Sequence, residues 1–371
     1  MPIGTPVPEF MATHSLKKLL TAVDRWYRRH GRKLPWRIGP AERDAGETPD
    51  PYLVWLSEVM LQQTTIPHAT PYFEAFRKRW PTVRQLAKAS WEDVSAAWAG
   101  LGYYSRARNL HACAKAVAEQ GGFPQDAAGL RQLPGIGPYT SAAIASITFD
   151  ERIAPVDGNI ERVVSRLYAI GSDGTEAGWR AAKQVITAQA QEIANALPQN
   201  HRAGDLAQAL MDLGATVCTP RSPNCLICPL SEFCAARAEG DPQRYPVKAE
   251  KKAPPTRYGS AFVLVRGDQV LLIRRPPSGL LGGMMMPPSS AWSERQAADP
   301  LAEAPGNFAW THTGQVRHVF THFALKLDVY RADIGSRAKM QGEWLKHEDA
   351  LAALPTVGRK AVALGLGVAR R

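Results

Sequence analysis

Residues 129–144 read Gly129-Leu-Arg-Gln-Leu-Pro-Gly-Ile-Gly-Pro-Tyr-Thr-Ser-Ala-Ala-Ile144: a short helical run, a hairpin built on Gly135 and Gly137, and a second, alanine-rich helix entered through Pro138. The two glycines let the backbone turn tightly, and Ile136 between them can point inward as an anchor. The hairpin amides then sit at a helix N-terminus, where unpaired N–H groups and the helix dipole favour phosphate. This is the helix-hairpin-helix pattern, which holds a nucleic-acid backbone without reading its sequence. A plain helix-helix turn can also use two glycines, but Leu-Pro-Gly-Ile-Gly between Ala-rich flanks favours the binding hairpin.

Outward from the hairpin, Leu16 to about Ala236 is helical nearly throughout, broken at Pro49-Asp50-Pro51, Gly121-Gly122-Phe123-Pro124 and the hairpin itself. The pattern predicts an all-α domain over residues 12–236, with the helix-hairpin-helix unit at about 127–148. Residues 1–11, rich in proline, read as a disordered extension, and Met11 is as natural a start as Met1. Pro242, Pro246, Pro254 and Pro255, with Arg244, Lys248, Lys251, Lys252 and Arg257, mark residues 237–257 as a basic linker. Beyond it, Ser260–Val265 and Gln269–Ile273 read as paired strands around Gly267-Asp268. Further strand patterns follow near Phe323–Tyr330 and Glu343–Leu345, so residues 258–371 form a second, α+β domain.

The chain has 371 residues, 45% of them hydrophobic, enough for two packed cores. Its 45 Lys and Arg against 34 Asp and Glu leave a formal charge of +11, which points to a polyanionic partner. No run approaches the roughly 18 apolar residues of a membrane helix, and Met1–Phe10 lacks an apolar signal core. A cytoplasmic monomer with no membrane partner is the expectation. Of five cysteines, Cys113 stands alone, while Cys218-x6-Cys225-x2-Cys228-x5-Cys234 falls within one short window. In a reducing compartment this is a metal-binding pattern. Its spacing alone does not choose between a tetrahedral zinc and a cubane iron-sulfur cluster.

Two carboxylates stand out. In Asp50–Thr64, where Asp50 caps and Pro51 opens a helix, Glu58 has Val54, Trp55, Leu61 and Gln62 as its helical neighbours. Desolvation there raises its pKa and lets it hold a proton near neutrality, unless a salt bridge at the rim of the core compensates it. In Ile153–Val163, Asp157 sits just before a new helix, where the dipole keeps a carboxylate ionised; an ordinary N-cap would look the same. A protonated acid opposite a permanent anion suits cleavage of a glycosidic bond.

Leu53–Thr64, Leu133–Tyr139, Val156–Val163 and the cysteine set occur in the order typical of the endonuclease III-like glycosylases, which this chain resembles over about Leu16 to Ala236. That resemblance implies a 4Fe-4S cluster on Cys218, Cys225, Cys228 and Cys234 in preference to zinc. The bifunctional lyases of the superfamily carry a lysine where this chain has Tyr139, and without that amine no Schiff base to the sugar forms there. Leu34-Pro-Trp-Arg37, Trp55–Thr64 and Gly100–Leu110 are similar to the MutY branch, as is a second domain after the cysteines.

That branch implies a monofunctional enzyme that releases adenine mispaired with 8-oxoguanine or guanine in double-stranded DNA. Glu58 would then protonate the base, and Asp157 would stabilise or capture the sugar cation with support from Tyr139 and Asn159. Trp36, Arg37 and Gln208 would line the pocket for the flipped adenine. Gln63 and Tyr103 would fill the gap left in the stack, with Gly135 and Gly137 on the backbone.

The C-terminal part resembles a MutT-like, Nudix-fold module through Arg275–Gly283 and Phe320-Thr-His322, implying inspection of the opposite base by Phe320, Thr321 and His322. The glutamate run of an active Nudix hydrolase is missing after Gly283, so the module is expected to bind and not hydrolyse. Thr321 and Leu281 depart from the usual pattern of the branch. Two rivals remain: a pyrimidine-lesion glycosylase with lyase activity, and a non-catalytic DNA-binding or redox-sensing protein on the same scaffold. Replication or repair proteins are conceivable partners that the residues do not identify.

Overall fold

The computed structural model describes residues 13–249, 254–276, 279–320, 322–335 and 338–368. The expected extension at 1–11 and Thr321 lie outside these. The chain divides into two compact units, Met1–Trp91 with Arg106–Lys251, and Glu92–Ser105 with Lys252–Arg371. Glu92–Ser105 thus groups with the second unit.

Along the chain run α1 (Thr13–His30), α2 (Pro40–Asp44), α3 (Pro51–Leu61), α4 (Ile66–Arg79), α5 (Val83–Lys88), α6 (Trp91–Ala97) and α7 (Tyr104–Glu119). The hairpin helices α8 (Ala127–Leu130) and α9 (Pro138–Phe149) follow, then α10 (Gly158–Leu167), α11 (Glu176–Asn195), α12 (Ala203–Thr216) and α13 (Ala235–Ala238). One core of the first unit joins α1 through Leu19, Leu20 and Val23 to α10 through Ile160, Val163 and Val164, with α11 and α12 closing it. Cys218, Cys228 and Cys234 pack against this core. Both α3 and α9 are buried almost all round, over Tyr52–Met60 and Thr140–Ile147, as helices with no polar face must be.

The second unit holds β1 (Thr256–Arg266), β2 (Gln269–Arg274), β3 (Met285–Met286), β4 (Thr311–Val319), β5 (Ala324–Asp333) and β6 (Glu343–Lys346), then α14 (His347–Ala353) and α15 (Thr356–Leu366). Among the described residues the sheet order is β3-β2-β1-β5-β4, with β6 also on β2. The β1–β5 pair is parallel and the others antiparallel. The expected hairpin is present, with Val265 opposite Val270. Alternation along β1 sends Ala261, Val263 and Val265 to the face covered by α15, with Leu264 on the other.

The predicted linker is partly built in. Lys248 pairs with buried Glu161, Tyr245 O accepts from Arg166, and Thr256 and Arg257 already belong to β1.

Candidate active site

Asp50 caps α3 as expected, accepting from Tyr52 N at 2.8 Å, and the helix carries Glu58 into the interior, where it is 8% exposed. Burial raises its pKa to about 7; the Tyr139 hydrogen bond pulls the other way, the Asp157 charge adds to the rise, and Arg37 opposes it. These four groups thus share one electrostatic environment. Tyr139, on the first turn of α9, donates its hydroxyl to Glu58 Oε2 at 2.8 Å. The hydroxyl bonds to Glu58, while the phenol also feels the Asp157 charge. Burial and the Glu58 charge push the phenol well above its ordinary value, so it remains a donor.

Asp157 is the N-cap of α10. Its Oδ1 accepts from Asn159 N at 2.9 Å and Ile160 N at 2.8 Å, and its Oδ2 from Asn159 Nδ2 at 2.7 Å, which sets the Asn159 side chain against Asp157. The cap does not lower its pKa. Desolvation outweighs the cap hydrogen bonds and raises its pKa. The pair still differs in kind, one carboxyl in an apolar helix and one held by three donors.

Trp36 is buried edge-on against Phe73 at 5.1 Å. Arg37 places Nη1 at 2.9 and 2.8 Å from the two oxygens of Asp212, which also accepts from Arg32 Nε at 2.6 Å. Gln208 is 1% exposed and donates to Gly204 O at 3.2 Å. Asp212 escaped the sequence reading, although a carboxylate four residues after Gln208 on an Ala- and Leu-rich helix has the same signature as Glu58.

Ile136 is buried, as an anchor should be. Gly135 has φ +75°, and a Cβ there would lie 2.4 Å from Asn109 Cβ, whereas Gly137 caps α9 beside open space. Gln63 and Tyr103 both have positive φ, 56° and 49°, and both are exposed. Arg106 fixes the turn before Gln63 by donating to the carbonyls of Val59, Met60 and Gln62 at the end of α3.

The four expected cysteines line one cavity with Arg166, Val217, Pro223 and Asn224. All four are free of disulfides, and among the described residues no group of His, Cys, Asp or Glu is gathered to hold a single metal ion. Four soft thiolates around a shared cavity suit a cluster. Arg166, 2% exposed, ties the loop to α10 through Cys218 Sγ at 3.3 Å and the carbonyls of Thr219 and Pro220. One turn earlier, Arg162 donates Nε to Cys218 O at 2.7 Å, and Nη2 to Gly214 O at 2.6 Å and Asn159 Oδ1 at 2.9 Å. A chain of hydrogen bonds thus runs from the first cysteine to Asn159 and Asp157. Sequence reasoning missed both arginines; their signal was two charges four residues apart among the apolar residues of α10.

In the second unit, Phe320 packs on Trp292 at 5.7 Å and Phe323 at 4.8 Å, with His318 edge-on at 4.5 Å. His322 is exposed just before β5.

This helix-hairpin-helix fold is that of the base-excision DNA repair glycosylases. Residues 56–188 match the HhH-GPD superfamily of base excision DNA repair proteins, 218–234 the iron-sulfur binding domain of endonuclease III, and 260–364 a NUDIX domain. The chain is 34% identical to the adenine DNA glycosylase of Homo sapiens over 399 residues, covering 91% of this chain and 72% of that protein. It is 34% identical to that of Mus musculus, covering 91% and 75%, and 39% identical to that of Mycobacterium tuberculosis, covering 58% and 67%. The chain belongs to the adenine DNA glycosylase family, whose members hydrolyse N-glycosidic bonds, and its cofactor is a 4Fe-4S cluster. Among the described residues no helix is long and apolar enough to cross a membrane.

Proposed function

We propose that this chain excises adenine mispaired with 8-oxoguanine or guanine, with Glu58 as the acid and Asp157 as the partner of the sugar cation. The observation that carries the reading is Glu58, a carboxyl whose burial holds its pKa at about 7 beside the Tyr139 hydroxyl. Such a group holds a proton at and below neutral pH more readily than an ordinary carboxyl and can pass it to a ring nitrogen of the extruded base. Tyr139 occupies Oε2, leaving the other oxygen for that transfer.

As the base leaves with its electrons, positive charge develops on the sugar. Asp157, held by Asn159 and the first amides of α10, is the anion that meets it. Trp36, Arg37 and Gln208 position the extruded adenine; Gln63 and Tyr103 fill the vacated stack; Gly135 and Gly137 bring the hairpin amides to the backbone. Cys218, Cys225, Cys228 and Cys234 would hold the cluster, which when bound crosslinks the loop that Arg162 and Arg166 fasten to α10. Phe320, Thr321 and His322 read the opposite base.

Single-turnover base release by Glu58→Gln tests the assignment. Loss of about 10²- to 10⁴-fold supports it, and release at the parent rate refutes it. The lyase rival predicts a strong borohydride-trapped adduct on a pyrimidine-lesion duplex, which the present reading does not.

A further inference from the structure

Trp292, Phe320 and Phe323 form one aromatic cluster, with ring centres 4.8 to 6.4 Å apart. Two guanidiniums flank it: Arg275 Cζ lies 5.3 Å from the Trp292 ring centre and Arg257 Cζ 4.6 Å from that of Phe323. Gly259 leaves room for this arrangement, because a Cβ there would come within 2.6 Å of Trp292 Cδ1.

Several other half-buried arginines have acceptors. Arg37 rests on Asp212, Arg162 on the carbonyls of Cys218 and Gly214, and Arg331 on Asp333. Arg257 and Arg275 are also half-buried, yet among the described residues neither donates a side-chain hydrogen bond or pairs with a carboxylate. Arg275 Nε and Trp292 Nε1 are buried N–H groups with no acceptor among the described residues. His318 is edge-on to Phe320 and itself feels Lys360, and the carboxylate beside Trp292, Glu303, accepts from Ala291 N without pairing with either arginine. Burial depresses the Arg275 pKa with no acid opposing it.

A desolvated cation without counter-charge is costly, and a guanidinium set over a ring face still offers the fork of its two terminal nitrogens to an outside acceptor. What those forks match is the paired oxygens of a phosphate.

We propose that Arg257 and Arg275 clamp backbone phosphates of the DNA strand carrying the base opposite the target adenine. The inference rests on the function proposed above, which brings that strand to Phe320. Arg275 shares Trp292 with Phe320, and Arg257 shares Phe323 with it, so the clamp brackets the candidate reader. A free nucleoside triphosphate offers the same phosphate chemistry, and the test separates the two sources.

Full-length chains carrying Glu58→Gln, so that the duplex stays intact, are compared with the same chain bearing Arg257→Gln, Arg275→Gln or both. Affinity for an adenine:8-oxoguanine duplex is measured between 50 and 200 mM salt. Each substitution is expected to lower affinity several-fold and reduce the slope of log K against log salt by about 1, the double by about 2. The preference for 8-oxoguanine over guanine should not change. Arg257→Met and Arg275→Met keep an apolar stem on the rings and give the same reading should a Gln variant fail to fold. An unchanged slope in a folded double variant overturns the clamp. So does an altered base preference at constant slope, or arginine-dependent binding of dGTP by the DNA-free chain. Adenine release by the otherwise parent chain is measured alongside: its absence sinks the glycosylase reading, while the slopes still decide the clamp.

Discussion

At the scale of the residue, Glu58 is an acid because of where α3 takes it. Its helical neighbours Val54 and Trp55 are buried, and the carboxyl inherits their dry surroundings. Its pKa of about 7, against an ordinary 4.5, has two consequences. Base release should fall as pH rises through about 7, because the acid loses its proton, and the fall should be absent from the residual rate of Glu58→Gln. The second consequence is thermodynamic. A carboxyl with a raised folded pKa binds its proton more tightly in the folded state, so its stabilising contribution is full below about pH 4.5 and is lost as pH rises through about 7. Glu58→Gln should therefore raise stability relative to the parent by on the order of 3 kcal/mol at pH 8.5, and by less at pH 5.5, in paired denaturation curves. A variant less stable than the parent at pH 8.5 would contradict the buried-acid account. The anomaly of Glu58 was legible in its neighbours. The partner of Tyr139 and the direction of the shift at Asp157 were not, because both depend on which helix faces which and on how deeply the cap is buried.

At the scale of the element, the hairpin and α10 carry the argument. Gly135 combines φ +75° with a near contact to Asn109, so Gly135→Ala should cost about 1–3 kcal/mol and weaken duplex binding. Chemical denaturation and a binding titration read both effects. On α12, a Cβ at Gly214 would lie 2.6 Å from Asn159 Cβ and 3.0 Å from its backbone. Gly214→Ala should thus displace Asn159 from Asp157 and slow single-turnover release at saturating enzyme while leaving duplex affinity close to the parent value. Equal loss of both would assign Gly214 to general packing.

Helix starts were readable from Asp50-Pro51 and Asp157 because caps are local chemistry. The strand Thr311–Val319 escaped the sequence reading. Its burial alternates poorly and it runs through His312, Thr313 and Gly314, where the register shifts against β5.

At the scale of the whole molecule, division of labour is the claim: base removal in the first unit, inspection of the opposite base in the second. Phe320→Ala should shrink the preference for 8-oxoguanine over guanine opposite adenine, with little change in release at saturating enzyme from the preferred duplex. An unchanged preference in competition binding would place discrimination elsewhere. The two-part architecture was visible in the change from helical periodicity to Pro-rich basic chain to alternating strands. The grouping of Glu92–Ser105 with the second unit was not, since tertiary grouping leaves no local trace in sequence.

The central claim is tested most directly by single-turnover adenine release from duplexes with adenine opposite 8-oxoguanine, guanine and cytosine, for the parent and Glu58→Gln chains. The account predicts fastest release opposite 8-oxoguanine, slower opposite guanine, little opposite cytosine, and near-complete loss in Glu58→Gln with duplex binding retained. Release by Glu58→Gln at the parent rate, or parent rates that ignore the opposite base, would contradict it.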